Sequence, residues 1–322
     1  MARSVLVTGG AGYVGSHACK ALAGAGYLPV AYDNLSRGHR EAVRWGPLIE
    51  GDTADRTRLL AAIKQHQIGA VLHFAAFAYV GESVADPALY YRNNLVGSLA
   101  LIEAMRESGV TKIVFSSTCA TYGVPDAVPI PESARQAPIN PYGETKLAVE
   151  RALHWYAAHG LRSVSLRYFN AAGADPAGEI GERHDPETHL IPLVLEAALG
   201  RRAVVEVYGT DYPTPDGTAI RDYVHVADLA AAHVLALDHL TAGGESLMLN
   251  LGTGSGHSVR AVIAAAERIS GRRVPYRAAP RRPGDPPVLV ADARLATERL
   301  GWRPSASDLD TIIGTALAWH RR

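Results

Sequence analysis

Apolar and polar positions change their period along the chain in a regular way. SVLVT (4–8), LPVAYD (28–33), PLIEGD (47–52), AVLHFAA (70–76), KIVFSS (112–117) and RSVSLRYF (162–169) are short apolar or β-branched runs and predict strands. Between them lie helix-like stretches: Tyr13 to about Ala25, RTRLLAAIKQH (56–66), about Asp86 to Ser108, and the Tyr142 stretch to about His159. Strands alternating with helices predict a parallel sheet with helices on both faces.

After Asn170 the rhythm breaks. Residues 171–188, rich in Gly, Pro, Asp and Glu, predict a long loop. A helix near 190–200, a short strand VVEVYG (204–209) and the polar run TDYPTPDGTAIRD (210–222) follow. HVADLAAAHVLAL (225–237) predicts a helix and LMLNLG (247–252) a strand, while 258–322 mixes helices with Pro- and Arg-containing loops. A long loop in a compact domain usually has a functional task. The expectation is a smaller C-terminal lobe that closes over a ligand at the sheet edge.

Composition narrows the classes. A chain of 322 residues suits one large or two intimate domains. Lys plus Arg and Asp plus Glu balance at 32 each, which leaves no electrostatic footprint for nucleic acid or an anionic membrane. Cys19 and Cys119 are the only cysteines, so a disulfide framework is not expected and a reducing compartment fits. The apolar run in MARSVLVTGG is too short for a signal-peptide core, and no stretch approaches the roughly 20 apolar residues of a membrane span. A soluble, cytoplasmic protein is expected. Its 13 histidines show no HExxH or Cys/His ligand spacing, so no metal is expected, and His73 and His225 are read as structural.

Two motifs carry chemistry. TGGAGYVG sets Gly9, Gly12 and Gly15 between a strand and a helix, where glycine permits a tight turn and a close approach to a pyrophosphate at the helix N-terminus. Asp33 ends the second strand, where a carboxylate accepts from an adenosine ribose and repels a 2′-phosphate. NAD is therefore favoured over NADP, although Arg37 nearby keeps NADP open. Asp52, ending the third strand, has the position for an adenine contact. The second motif is PINPYGETK. Tyr142 and Lys146 stand one helical turn apart and share a face. A free phenol near pKa ~10 is a poor base, and a cation within hydrogen-bonding reach favours the phenolate. The fifth strand delivers Thr118 to the same sheet edge as a partner for a substrate hydroxyl. A lone Y-x3-K is usually a surface pair; with the glycine loop and Asp33 it reads as a base and its support.

With TGGAGYVGSH, YDNLS, HFAAFAYVGES, FSSTCATYG, NPYGETK, LRYFNAAG, GTDYPTPDGTAIRDYVHV, LNLGTG and RRPGD, the chain resembles the extended short-chain dehydrogenase/reductase family over essentially its whole length. Within that family it looks most like the UDP-sugar 4-epimerases. The resemblance implies a Rossmann-like doubly wound α/β fold, with 1–170 binding NAD, 222–252 returning to that domain, and 171–322 forming mainly a substrate-binding lobe. It implies tightly held NAD, a UDP-sugar substrate and a homodimer formed through helices. The implied activity interconverts UDP-galactose and UDP-glucose by transient oxidation at C4. Tyr142, Lys146 and Thr118 match the catalytic group. Gly9, Gly12, Tyr13, Val14, Gly15, Asp33 and Asn34 match cofactor positions, as do Asp52, Thr53, Phe74, Ala75, Ala76, Asn93, Ser116, Tyr142, Lys146 and Phe169. Substrate contacts match at Thr118, Tyr142, Asn170, His189, Leu190, Tyr208, Arg221, Arg282 and Asp285. The residue types suit these roles, since Arg221 and Arg282 can clamp a diphosphate and Tyr208 can lie against a uracil face.

Other readings share the architecture. A 4,6-dehydratase would carry an Asp-Glu pair after the strand-five hydroxyl; here Cys119 and Ala120 follow Thr118. A UDP-xylose/UDP-arabinose 4-epimerase stays open, because FAAFAYVGES and SSTCATYG resemble its plant members. A non-catalytic dinucleotide sensor often lacks the Tyr-Lys pair. Departures from the family bear on the sugar: Ala78 replaces a lysine, His189 replaces an asparagine, and Leu289 sits where size governs entry of N-acetylated sugars.

Overall fold

The computed structural model describes residues 3–282 and 284–322. Its first half follows the alternation: β1 (Ser4–Thr8), α1 (Tyr13–Gly24), β2 (Leu28–Asp33), β3 (Leu48–Glu50), α2 (Arg56–Gln65) and β4 (Ala70–His73). Three short helices, α3 (Val80–Ala85), α4 (Pro87–Tyr90) and α5 (Gly97–Glu107), lead to β5 (Lys112–Thr118), α6 (Pro141–Tyr156) and β6 (Arg162–Tyr168). Where one long helix over 86–108 was expected, α4 and α5 are joined by a π-helical turn at Tyr91–Val96, and α3 precedes them. The Asp86 carboxylate caps α4 by accepting from the Leu89 amide, 3.1 Å, so the chain breaks and restarts there. Helix α6 begins as PINPYG suggests: Asn140 accepts from Gly143 N at 2.8 Å and Pro141 takes the first helical position, where its missing N–H costs nothing.

The second half contains β7 (Asn170–Ala172), α7 (Leu190–Ala198), β8 (Val205–Tyr208), β9 (Ile220–Arg221), β10 (Tyr223–His225) and α8 (Val226–Thr241). It continues through β11 (Leu247–Leu251), β12 (His257–Ser258), α9 (Val259–Ser270), β13 (Tyr276–Ala279), β14 (Val288–Leu289), α10 (Arg294–Leu300) and α11 (Leu309–His320).

Seven strands form one parallel sheet in the order β3-β2-β1-β4-β5-β6-β11. Alternate strand residues face opposite ways. Val5, Val7 and Val114 pack under α1 and α8, while Leu6, Ile113 and Phe115 pack under α2, α5 and α6. Strand order reverses between β1 and β4, which opens a crevice at the C-terminal strand ends. A third core joins α7, α9 and α11 over β8 through Val194, Leu195, Val262, Ile263, Ile312 and Ile313. Three small sheets lie beyond the large one: β7 with β10, β9 between β12 and β14, and β8 with β13. Among the described residues, no helix is long and apolar enough to cross a membrane.

Beneath the crevice lies a buried ion pair. Arg167 on β6 donates to Glu150 on α6 at 2.7 and 2.9 Å, with both side chains 2% exposed. Ser117 and Gln136 also donate to Glu150, and Arg167 reaches Tyr122, which donates to Asn250 of β11. Three sheet strands, β5, β6 and β11, are thereby tied to α6 and to the loop after β5.

Candidate active site

A cavity of about 1420 Å³ runs along the C-terminal ends of the strands and under the second half of the chain. Single-ligand sites are typically about 300–1,000 Å³, so this space suits two ligands end to end. Every site residue expected from the sequence lines it except Asp52. The Asp52 carboxylate accepts instead from Asn34 Nδ2 at 2.9 Å and from Ala54 N at 2.8 Å. Its neighbours Gly51 and Thr53 line the cavity, and Asp52 lies exposed between them.

At the β1 end, Gly9 has φ +73°, and a Cβ there would lie 2.6 Å from Ala75 N. A Cβ on Gly15 would sit 2.1 Å from Gly9 O. Only glycine allows helix α1 to come this close to the strand ends, and this closeness forms the cradle. Gly12 caps α1 without a side-chain acceptor, so the first-turn amides are left for an anion. Asp33 ends β2 with its carboxylate accepting from Ala11 N at 3.0 Å and Leu35 N at 2.8 Å, which fixes its direction while lone pairs remain for a ribose. Arg37 is bound to Glu82 at 2.5 Å and lies over the Phe77 and Tyr79 rings at 5.2 and 5.0 Å. With its charge engaged there, a 2′-phosphate would face Asp33 without a free partner. The residues present therefore fit NAD. In the π-helical turn, Asn93 lines the cavity, and Asn94 accepts from Phe77 N at 2.8 Å and donates to Phe77 O at 3.0 Å.

Tyr142 and Lys146 come from the first turns of α6, Thr118 from the end of β5. Lys146 is 4% exposed. Its Nζ donates to Ser116 O at 2.7 Å and lies 5.9 Å from the centre of the Tyr142 ring. Burial lowers Lys146 to about 7, and Glu150 one turn on partly offsets this. Burial pushes the Tyr142 hydroxyl well above its ordinary value; Tyr168 adds to this, and a hydrogen bond with Thr118 pulls it back. Desolvation sets the direction in the polypeptide alone, so a phenolate here calls for positive charge beside it.

On the other side, Arg221 Nη2 donates to Asp285 at 2.5 Å and to Pro286 O at 2.9 Å. The Arg282 guanidinium stacks 4.2 Å from the Tyr208 ring centre, covering the face expected to meet a uracil, and Tyr208 donates to Glu206 at 2.6 Å. Asn170 begins β7, and its N–H donates to Asp222 O at 3.0 Å. The wholly buried Asp222 was not singled out from the sequence. Its carboxylate accepts from the amides of Thr253, Gly254 and Ala291, tying three loops behind Arg221. The loop before α7 brings Glu182, His184, Glu187 and His189 together. Burial lowers His189, but Glu182 and Glu187 outweigh it and hold the ring at about 10. These neighbours had no regular spacing to mark them. His73 lies between Thr8 at 2.6 Å and Ser98 at 2.7 Å inside the sheet, and burial lowers it to about 3.

Fold and cavity define a dinucleotide-binding protein of the doubly wound class. The chain matches the NAD dependent epimerase/dehydratase family over residues 5–252 and belongs to that family. It is similar to the UDP-glucose 4-epimerase of Rhizobium leguminosarum bv. trifolii, 55% identical over 99% of this chain and 98% of that protein. A crystal structure of UDP-glucose 4-epimerase from Brucella ovis in complex with NAD is 58% identical, covers 99% of this chain and 98% of its own, and superposes with a TM-score of 0.97. The Bifidobacterium longum UDP-glucose 4-epimerase in complex with NAD+ and UDP is 39% identical, with a TM-score of 0.94 over 99% of this chain and 98% of its own.

Proposed function

We propose that the protein is an NAD-dependent UDP-glucose 4-epimerase that interconverts UDP-galactose and UDP-glucose. The observation that carries this is the meeting of Tyr142, Thr118 and Lys146 at the strand ends of a cavity long enough for a dinucleotide and a sugar nucleotide together. The glycine cradle, Asp33 and Asn93 hold the cofactor. When bound, NAD would supply an acceptor and later donor of the C4 hydrogen as hydride, and a positive charge that favours the Tyr142 phenolate. Tyr142 Oη then takes the proton from the 4-hydroxyl, and Thr118 orients that oxygen. Lys146 supports the charge on Tyr142 and donates to the nicotinamide ribose. Arg221 and Arg282 hold the diphosphate, and Tyr208 exchanges its stacked guanidinium for the uracil. Asn170, Leu190 and His189 border the sugar. A firm grip at the nucleotide end leaves the oxidised sugar free to turn before Tyr142 gives its proton back.

The test uses UDP-galactose deuterated at C4, with no NAD added. Deuterium kept at C4 of the UDP-glucose product is expected; its loss to solvent would overturn the reading.

The assembly is proposed as a homodimer through helices, supported by Val96, 53% exposed beside α5, and Trp155, 73% exposed on α6. Light scattering at the mass of one chain would refute that. A cytoplasmic location is proposed too, supported by the free thiols of Cys19 and Cys119.

A further inference from the structure

Four side chains on the loop before α7 point at one spot. Glu182, His184, Glu187 and His189 each offer a ligand atom, and these atoms all lie within 4.8 Å of one another. His189 Nδ1 is 3.0 Å from Glu182 Oε1 and 2.9 Å from Glu187 Oε1. His184 Nδ1 is 3.2 Å from Glu182 Oε1 and 3.6 Å from Glu187 Oε2. A tetrahedral ion with bonds of about 2.1 Å sets neighbouring ligand atoms about 3.4 Å apart; the four nitrogen–oxygen separations bracket that value, and the two at His189 would open by about half an ångström on binding. A second observation singles out His184. Its Nδ1 is buried 3.2 Å from Glu182 Oε1 and 3.6 Å from Glu187 Oε2 without a well-directed hydrogen bond to either.

We infer that Glu182, His184, Glu187 and His189 form a binding site for a zinc-class divalent transition ion, which staples the 182–189 loop at the wall of the cofactor cavity. Two imidazoles and two carboxylates suit Zn2+ or Co2+ better than Mg2+ or Ca2+, which prefer all-oxygen shells. Binding would displace the proton that Glu182 and Glu187 hold on His189, after which two carboxylates neutralise a divalent ion on two neutral imidazoles. The edges of Tyr13 and Tyr79 pack around His184, with ring centres 6.2 and 5.8 Å away, and support its orientation. The spacing Glu-x-His-x2-Glu-x-His has no helical or strand period, since an irregular loop carries it. The inference stands on these four residues, of which His189 is shared with the border of the proposed sugar site.

The test titrates CoCl2 and ZnCl2 into the chelator-treated, NAD-containing protein. Expected are a single ion per chain by calorimetry and the strong visible absorption of four-coordinate Co2+. His184→Ala and the near-isosteric Glu187→Gln should each weaken binding by at least about a hundredfold, the upper end of what loss of a mere supporting group costs. His159→Ala, at an exposed site, should bind like the parent. Retained NAD and far-UV circular dichroism identify folded variants; if His184→Ala does not fold, Glu187→Gln decides. No Co2+ absorption, or weak binding that Glu187→Gln leaves unchanged, would overturn the site and leave an ion-pair cluster only.

Discussion

The first half of the chain, proposed to hold the cofactor, and the second, proposed to hold the substrate, build their parts of the cavity differently. In the first, Gly9, Asp33, Ser116 and Thr118 sit at or just beyond the ends of adjacent parallel strands, over the Arg167–Glu150 pair with both side chains 2% exposed. In the second, Arg221 and Leu289 sit on two-residue strands, and Arg221 is held by Asp285 with side chains 13% and 29% exposed. Rigid strands suit reacting atoms, which tolerate errors of about half an ångström. An anchor that must admit and release a nucleotide suits loops and half-exposed ion pairs. Chemistry is thus assigned to the stiff half and retention to the adaptable one.

The largest break in this contrast is Tyr142→Phe. It should cut kcat by about a thousandfold or more, the upper range for a lost acid–base group, with the fold and NAD content kept. A near-normal rate would take Tyr142 out of the reaction. Next comes Glu150→Ala, which strands Arg167 as a buried unpaired cation and should cost about 3–5 kcal/mol of stability in urea unfolding. The matching change in the lobe, Asp285→Ala, should cost about 1 kcal/mol or less, because Arg221 keeps Ile220 O and Pro286 O as acceptors. Equal losses would mean that the two halves are equally stiff. Smaller again is Arg282→Ala. Losing a diphosphate contact at an exposed loop should raise KM for UDP-galactose about tenfold with kcat within a few-fold, the pattern of lost uniform binding. A fall in kcat with KM unchanged would move Arg282 from anchor to chemistry.

The same contrast decides what could be read from the sequence. Strands β1, β2, β5 and β6 match their predicted runs to within a residue, because each is a local apolar run buried between helix layers. The glycine loop, Asp33, Thr118 and the Tyr142–Lys146 pair lie where the strand ends place them. By contrast β7, which begins the expected 171–188 loop, exists only by pairing with β10 more than fifty residues on, and β9 only by pairing with β12 and β14. No local period encodes such partners. Asp222 and Asn94 escaped notice for the same reason, since their value lies in the distant backbone groups they satisfy. Asp52 lies exposed at the strand end beside the cavity lining, where Asn34 and Ala54 donate to its carboxylate and lone pairs remain.

The last effect is a slope, read across a range of pH. Burial lowers Lys146 from its ordinary 10.5 to about 7 in the protein chain alone. Below pH 7 the folded and unfolded chains both carry this proton, and the folded one bears the full desolvation cost of the ammonium. Between pH 7 and 10.5 the unfolded chain binds more protons than the folded one, so stability of the NAD-free protein rises with pH across that window and levels off above it. A single group can contribute at most about 1.4 kcal/mol per pH unit. Urea midpoints of NAD-free protein at several pH values should show the rise, and Lys146→Met should flatten it. Arg282→Ala, on the lobe side, should keep the parent's slope. Were Lys146→Met to run parallel to the parent instead, the buried ammonium would be solvated better than its surroundings indicate. The stiff half would then hold more water beneath Tyr142 than close strand packing allows.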